Sequence, residues 1–159
     1  MRKTLAVVFA LFLFGSVAES NAQSSNLRIA FNTPEDSKAD DYEIYTMALD
    51  GSGVKNITNH KDVAWTYYSH GGRLFFVSDR DVCKRCYMLY GSDADGKDLK
   101  KLTNLQLEDA WMGSRNNGKE MIVSGRIGTA IRYQLFFVDT QTGHFRQLTN
   151  EPAAAFRDP

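Results

Sequence analysis

The residues able to do chemistry fall in a few places, and the cysteines come first. Cys83 and Cys86 are the only cysteines of the 159-residue chain and stand in C-x-x-C spacing, which serves metal binding, redox exchange or haem attachment. Haem attachment needs a His directly after the second cysteine, where Tyr87 stands. A structural zinc needs two further ligands, and no second C-x-x-C or paired His supplies them. A thioredoxin-like pair belongs in a βαβ context, which the pattern lacks. A disulfide, inert thiols and a redox pair remain, and the compartment weighs between them. Asp93-Ala94-Asp95-Gly96-Lys97-Asp98 places carboxylates like a calcium loop, without the distal bidentate Glu of an EF-hand. No Gly-x-Ser-x-Gly elbow, phosphate-binding glycine loop or His-Glu-x-x-His pair is present. The expectation is no catalytic residue, no metal and no cofactor.

The N-terminus addresses the compartment. Arg2 and Lys3 precede an apolar run from Leu5 to Phe14, and a small-residue end follows at Ala22. That order is a secretory signal peptide over residues 1–22, since the run falls short of the roughly 20 apolar residues that span a bilayer. The expected mature chain, 23–159, is periplasmic or secreted and carries no membrane segment. Export favours a Cys83–Cys86 disulfide. Lys plus Arg equals Asp plus Glu at 19 each, which lacks the basic footprint of a nucleic-acid binder. A hydrophobic share of 43% with 12% aromatic residues suffices for a packed core.

The elements that position these residues repeat. Ile57-Thr58-Asn59, Leu102-Thr103-Asn104 and Leu148-Thr149-Asn150 place their threonines 45 and 46 residues apart. Trp65, Trp111 and Phe156 follow in step. A turn cluster comes after each tryptophan, at Ser69-His70-Gly71-Gly72-Arg73 and Ser114-Arg115-Asn116-Asn117-Gly118-Lys119. Next come an aliphatic run ending in Ser78 or Ser124, an aromatic run (43–49, 87–91, 133–138), and a turn at Asp50-Gly51, Asp95-Gly96 or Thr142-Gly143. The period thus assigns the Asp93–Asp98 segment to a hairpin turn, where Asp and Gly serve the backbone. His60, His70 and His144 occupy different phases and are not expected to meet at one metal. The pattern predicts an all-β chain of four-stranded antiparallel units.

This pattern resembles the TolB-like (WD-repeat-like) β-propeller repeat, with the usual Ser-Pro-Asp-Gly-Lys turn degenerate here. The resemblance implies three blades, approximately 26–68, 69–113 and 114–157. The tryptophan segment is then the innermost strand of the next blade, and Ala153 to Arg157 is an innermost strand with no blade after it. Trp65, Trp111, Tyr67, Tyr68, Phe75, Phe76, Phe136 and Phe137 read as inter-blade packing. Three blades fall below the four to eight that close a ring. Two readings stay open: a partial propeller belonging to a longer protein, and a homodimer completing a six-bladed ring.

On this architecture the loops after each Thr-Asn converge on one rim. Asn59, Asp62, Asn104, Glu108, Asp109 and Asn150, joined by Arg80 and Arg126, form the candidate binding set. The function expected is a non-enzymatic exported scaffold that binds an envelope or secreted protein, or a glycan. The alternative is the propeller segment of a larger exported peptidase or carbohydrate-active protein.

Overall fold

The structure is a computed structural model that describes residues 27–35 and 41–159. The expected signal segment, 1–22, lies outside the described residues, as do the side chains of Thr66 and Tyr67. No helix occurs among the described residues, and every strand pairing is antiparallel. The first sheet holds β1 (Arg28–Pro34), β2 (Tyr42–Ala48) and β3 (Lys55–Asn56) in that order. The second holds β4 (Ala64–His70), β5 (Arg73–Ser78), β6 (Met88–Asp93) and β7 (Lys100–Lys101). The third holds β8 (Gln106–Leu107), β9 (Gly113–Arg115), β10 (Glu120–Arg126), β11 (Gln134–Asp139) and β12 (Phe145–Gln147). Here β8 and β9 pair different ends of β10.

Turn chemistry sets the hairpins. Gly71 and Gly72, at φ 56° and 77°, are the two-residue loop between β4 and β5, the left-handed pair of a type I′ turn. Its counterpart in the third sheet is longer. Asn116, Asn117 and Gly118 are left-handed in succession, a conformation that Asn and Gly tolerate best. The β2–β3 and β6–β7 turns share one bonding pattern. Gly51 N–H donates to Ala48 and Gly96 N–H to Asp93, while Ala48 and Asp93 donate back to Ser52 and Lys97, all at 2.9–3.0 Å.

The sheets stack face to face. Side chains of β5 alternate between two partners: Leu74 and Phe76 join Ile44, Ile57, Ala64 and Tyr90 against the first sheet. Phe75 and Val77 join Leu89, Met121, Val123, Phe136 and Val138 against the third. Burial on both faces explains why this strand reads as a continuous apolar run. A second contact recurs at each junction. A Cβ on Gly96 would sit 3.0–3.2 Å from Ile57, and one on Gly143 would run into the Leu102 carbonyl oxygen. The turn glycine of each later sheet therefore seats on the Ile/Leu-Thr-Asn segment of the sheet before it.

Two expectations are corrected. Ala153 to Arg157 forms no strand; the segment runs along the third sheet, with Phe156 N–H donating to Tyr133 at 3.0 Å. A strand needs a ladder, and among the described residues no strand pairs with this segment. Trp111 does not pack between sheets but is 66% exposed. The five residues between Leu107 and Gly113 face only Val123 and Ser124 on β10, so the inner strand breaks and throws the indole outward.

Gly51 shares the left-handed φ, but a methyl group added to it would meet nothing within 4 Å. Gly51→Ala should therefore cost about 1–2 kcal/mol, the left-handed penalty alone. Gly143→Ala should cost distinctly more, because the Leu102 seat must open. Urea denaturation of the two variants checks the ordering.

Candidate functional site

The three Thr-Asn segments leave their sheets by one device. Ile57, Leu102 and Leu148 each donate their N–H to the carbonyl of Ile44, Leu89 or Leu135, at 2.8–2.9 Å. In the first and third sheets the next residue adds a side-chain bond: Thr58 Oγ1 accepts from Ile44 N–H and Thr149 Oγ1 from Leu135 N–H, both at 2.9 Å. The hydroxyl stands in for the next ladder partner, so the outer strand can end and the chain turn onto the rim.

A polar side chain at the start of β2 or β11 then holds the rim loop. Glu43 is 1% exposed; its carboxylate accepts from the Thr58 hydroxyl and, at 2.8 Å, from His60 N–H. In the third sheet Gln134 does the same work, its Oε1 accepting from Glu151 N–H at 3.1 Å while its Nε2 donates to Glu151 and Ala154 carbonyls at 3.0 Å. Burial raises the Glu43 carboxyl above its ordinary value, opposed by the Thr58 and His60 bonds and by the charge of Arg80. Asp79, 4% exposed, is a third anchor, accepting from Val63 N–H at 2.9 Å and Arg85 N–H at 2.7 Å.

The proposed rim residues divide into separate groups. Arg80 donates to the Thr58 carbonyl and lies near Tyr90, whose hydroxyl donates to the Arg80 carbonyl at 2.8 Å. Burial, with the charges of Asp81, Asp62 and Asp79, raises the Tyr90 phenol above its usual value. Asp62 pairs with His60 at 3.0 Å. Asn59 is exposed and left-handed, φ 40°, with its N–H donating to Asn56 Oδ1 at 2.8 Å. On the third sheet Glu108 pairs with Arg157 and lies 3.1 Å from the Ser124 hydroxyl. Arg126 donates to Gln106 at 3.2 Å and covers the Tyr133 ring at 5.2 Å. Arg126 and Asn150 together line a cleft of about 350 Å³ with Ile127, Ile131 and Gln147. Asn104 is exposed on the loop between the second and third sheets, and Asp109 on the segment between β8 and β9.

The other candidates have structural settings. Cys83 and Cys86 form a disulfide with Cα atoms 5.2 Å apart, across a turn closed by Cys86 N–H donating to Cys83 at 2.8 Å. The Asp93–Asp98 carboxylates face cations: Arg73 pairs with Asp93 and Asp98 at 3.2 and 3.1 Å, and Lys97 with Asp95 at 2.8 Å. Among the described residues no three His, Cys, Asp or Glu side chains converge as metal ligands. The anchors Glu43, Asp79 and Gln134 do not stand out in the sequence. The signal available was a polar residue, Glu43 or Gln134, at one repeat position ahead of an apolar strand.

No protein-family model and no curated protein matches the chain. Among solved structures, TolB from Acinetobacter baumannii superposes with a TM-score of 0.56 at 23% identity, over 77% of this chain and 29% of that one. A putative TolB from Agrobacterium tumefaciens gives 0.59 at 15% identity, over 76% and 44%. A puromycin-hydrolysing peptidase from Mycobacterium tuberculosis gives 0.49 at 19% identity, over 67% and 17%, which is too low to weigh. The class these likenesses define is an all-β fold of TolB-like propeller type. The chain spans less than half the length of either TolB structure.

Glu43→Ala should destabilise by about 1–3 kcal/mol for each donor it strands, Thr58 and His60. Glu43→Gln should fold normally. Because the folded carboxyl titrates above 4.5, the wild-type group favours the fold most below that value and loses the contribution as pH rises through the raised one. Glu43→Gln should therefore gain stability relative to wild type over that rise, read from denaturation midpoints at a series of pH values. Reducing the four-residue Cys83–Cys86 loop should cost about 2 kcal/mol and leave the far-ultraviolet circular dichroism unchanged.

Proposed function

We propose that the chain is a TolB-like propeller segment acting as a non-enzymatic, exported scaffold whose rim binds a protein of the cell envelope. The observation that carries this reading is the anchoring of the rim loops. Buried Glu43 and Gln134 fix the backbone of His60 and of Glu151 to Ala154, while Asn59 and Asn150 beside them stay exposed. Loops held from beneath and polar on top lose little entropy on binding. The charged, apolar and small-residue order of residues 1–22 supports export, and the resemblance to TolB-like repeats supports an envelope setting.

The test is capture from a solubilised envelope extract by the immobilised protein, with Asn59→Gly/Asn150→Ala as the paired variant. The double variant should lose most of the captured protein while keeping its denaturation midpoint. Equal recovery on both would remove the rim from the account.

A further inference from the structure

Where the second and third sheets pack on each other, a cleft of about 600 Å³ lies at the end of the strands away from the rim, between the β4–β5 turn and the longer β9–β10 turn. Its ionisable groups are all basic. His70, Arg73, Lys100 and Lys119 line it, and among the described residues no carboxylate does. The chain as a whole balances 19 basic residues against 19 acidic ones, so the cleft is a local segregation of charge.

The turn of the third sheet is held in place. Gly118 comes so close to the second sheet that a Cβ on it would lie 3.3 Å from His70 Cβ and Cδ2. Thr140 fixes the carbonyls that follow, its hydroxyl donating to Gly118 and its N–H to Lys119, both at 2.9 Å. Lys119 therefore extends from a fixed stem. The carboxylates beside it in the ladder are engaged elsewhere: Glu120 pairs with Arg115 and accepts from Asn116, and Asp139 accepts from the N–H groups of Gln141 and Thr142 at 2.9 and 2.8 Å. On the second sheet Asp98 is shared between Arg73 and Lys100 at 3.1 and 3.3 Å, and Asp93 lies 3.2 Å from Arg73. Asp93 and Asp98 thus stand against Arg73, Lys100 and Lys119, which leaves an excess of positive charge. Among the described residues the side chains of Asn117, Lys119 and Gln141 hold no hydrogen bond or ion pair.

From this we propose that the cleft binds the phosphate ester of a sugar or polyol. The phosphate takes charge-assisted bonds from Lys100 and Lys119, with Arg73 and His70 beside them. The amides of Asn117 and Gln141 supply both donors and acceptors for hydroxyl groups. The volume is that of a small-molecule site and exceeds what a bare phosphate fills. A turn already held in shape loses little freedom when a ligand settles against it. A free sugar phosphate and the inositol phosphate headgroup of a lipid share this chemistry. The cleft lies at the opposite end of the strands from the rim, so the inference stands apart from what the rim binds.

Calorimetric titration with glucose-1-phosphate, glucose and inorganic phosphate tests this, together with sedimentation on phosphatidylcholine vesicles with and without phosphatidylinositol. The sugar phosphate or the phosphatidylinositol vesicles should bind, and glucose or phosphate alone should bind far more weakly. Lys119→Ala should weaken binding about tenfold, and Gln141→Ala by less, each with an unchanged denaturation midpoint. Lys97→Ala, outside the cleft, should leave binding as it is. Binding of one carrier alone, lost with Lys119→Ala, supports the proposal and identifies the source of the ester. Binding of neither carrier overturns it. So does inorganic phosphate that binds as tightly as its sugar ester, or an affinity that Lys119→Ala and Gln141→Ala leave intact.

Discussion

The packing of each turn glycine onto the Ile/Leu-Thr-Asn segment of the preceding sheet is the constraint on which the rest depends. It works only if three things hold together. The glycine must be left-handed, the residue after the outer strand must bond back to the strand beside it, and the two sheets must approach within van der Waals contact. Gly96 with Ile57 and Gly143 with Leu102 meet all three. The pleat of β5 then divides its side chains between the two junctions, with Leu74 and Phe76 on one side and Phe75 and Val77 on the other.

The same segment links packing to the candidate site. Once Thr58 or Thr149 has closed the ladder, the following residues have no sheet partner, and buried polar side chains take over their backbone groups. Glu43 and Gln134 do this with different charge but one geometry. A carboxylate there costs desolvation, offset by two donors and the nearby Arg80. Rigidity of the rim is therefore a product of the core and not of the loop residues themselves.

Much of this was legible from residue spacing, because the features that repeat are those the backbone requires. Threonine at the ladder's end, glycine in the turn and aromatic pairs between sheets recur where geometry recurs. What was not legible depends on neighbours outside the repeat. Trp111 matches Trp65 by position, yet the inner strand before it holds more residues than β10 can pair. Phe156 matches by position too, but a strand exists only against a partner. The rim set drawn from sequence is silent on contact. Arg80, Glu108 and Arg126 are bound into the structure, while the buried anchors beneath them were overlooked because the repeat position that holds Glu43 and Gln134 is taken by Met88 in the remaining repeat.

The stacking order is most directly tested by nuclear Overhauser contacts in solution. The account predicts cross-peaks from the Gly96 α-protons to Ile57 and from the Gly143 α-protons to Leu102, with none from Gly96 to Leu102. Cross-peaks joining Phe76 to Met121 or Val138, with Gly143 contacting no residue of the second sheet, would contradict it.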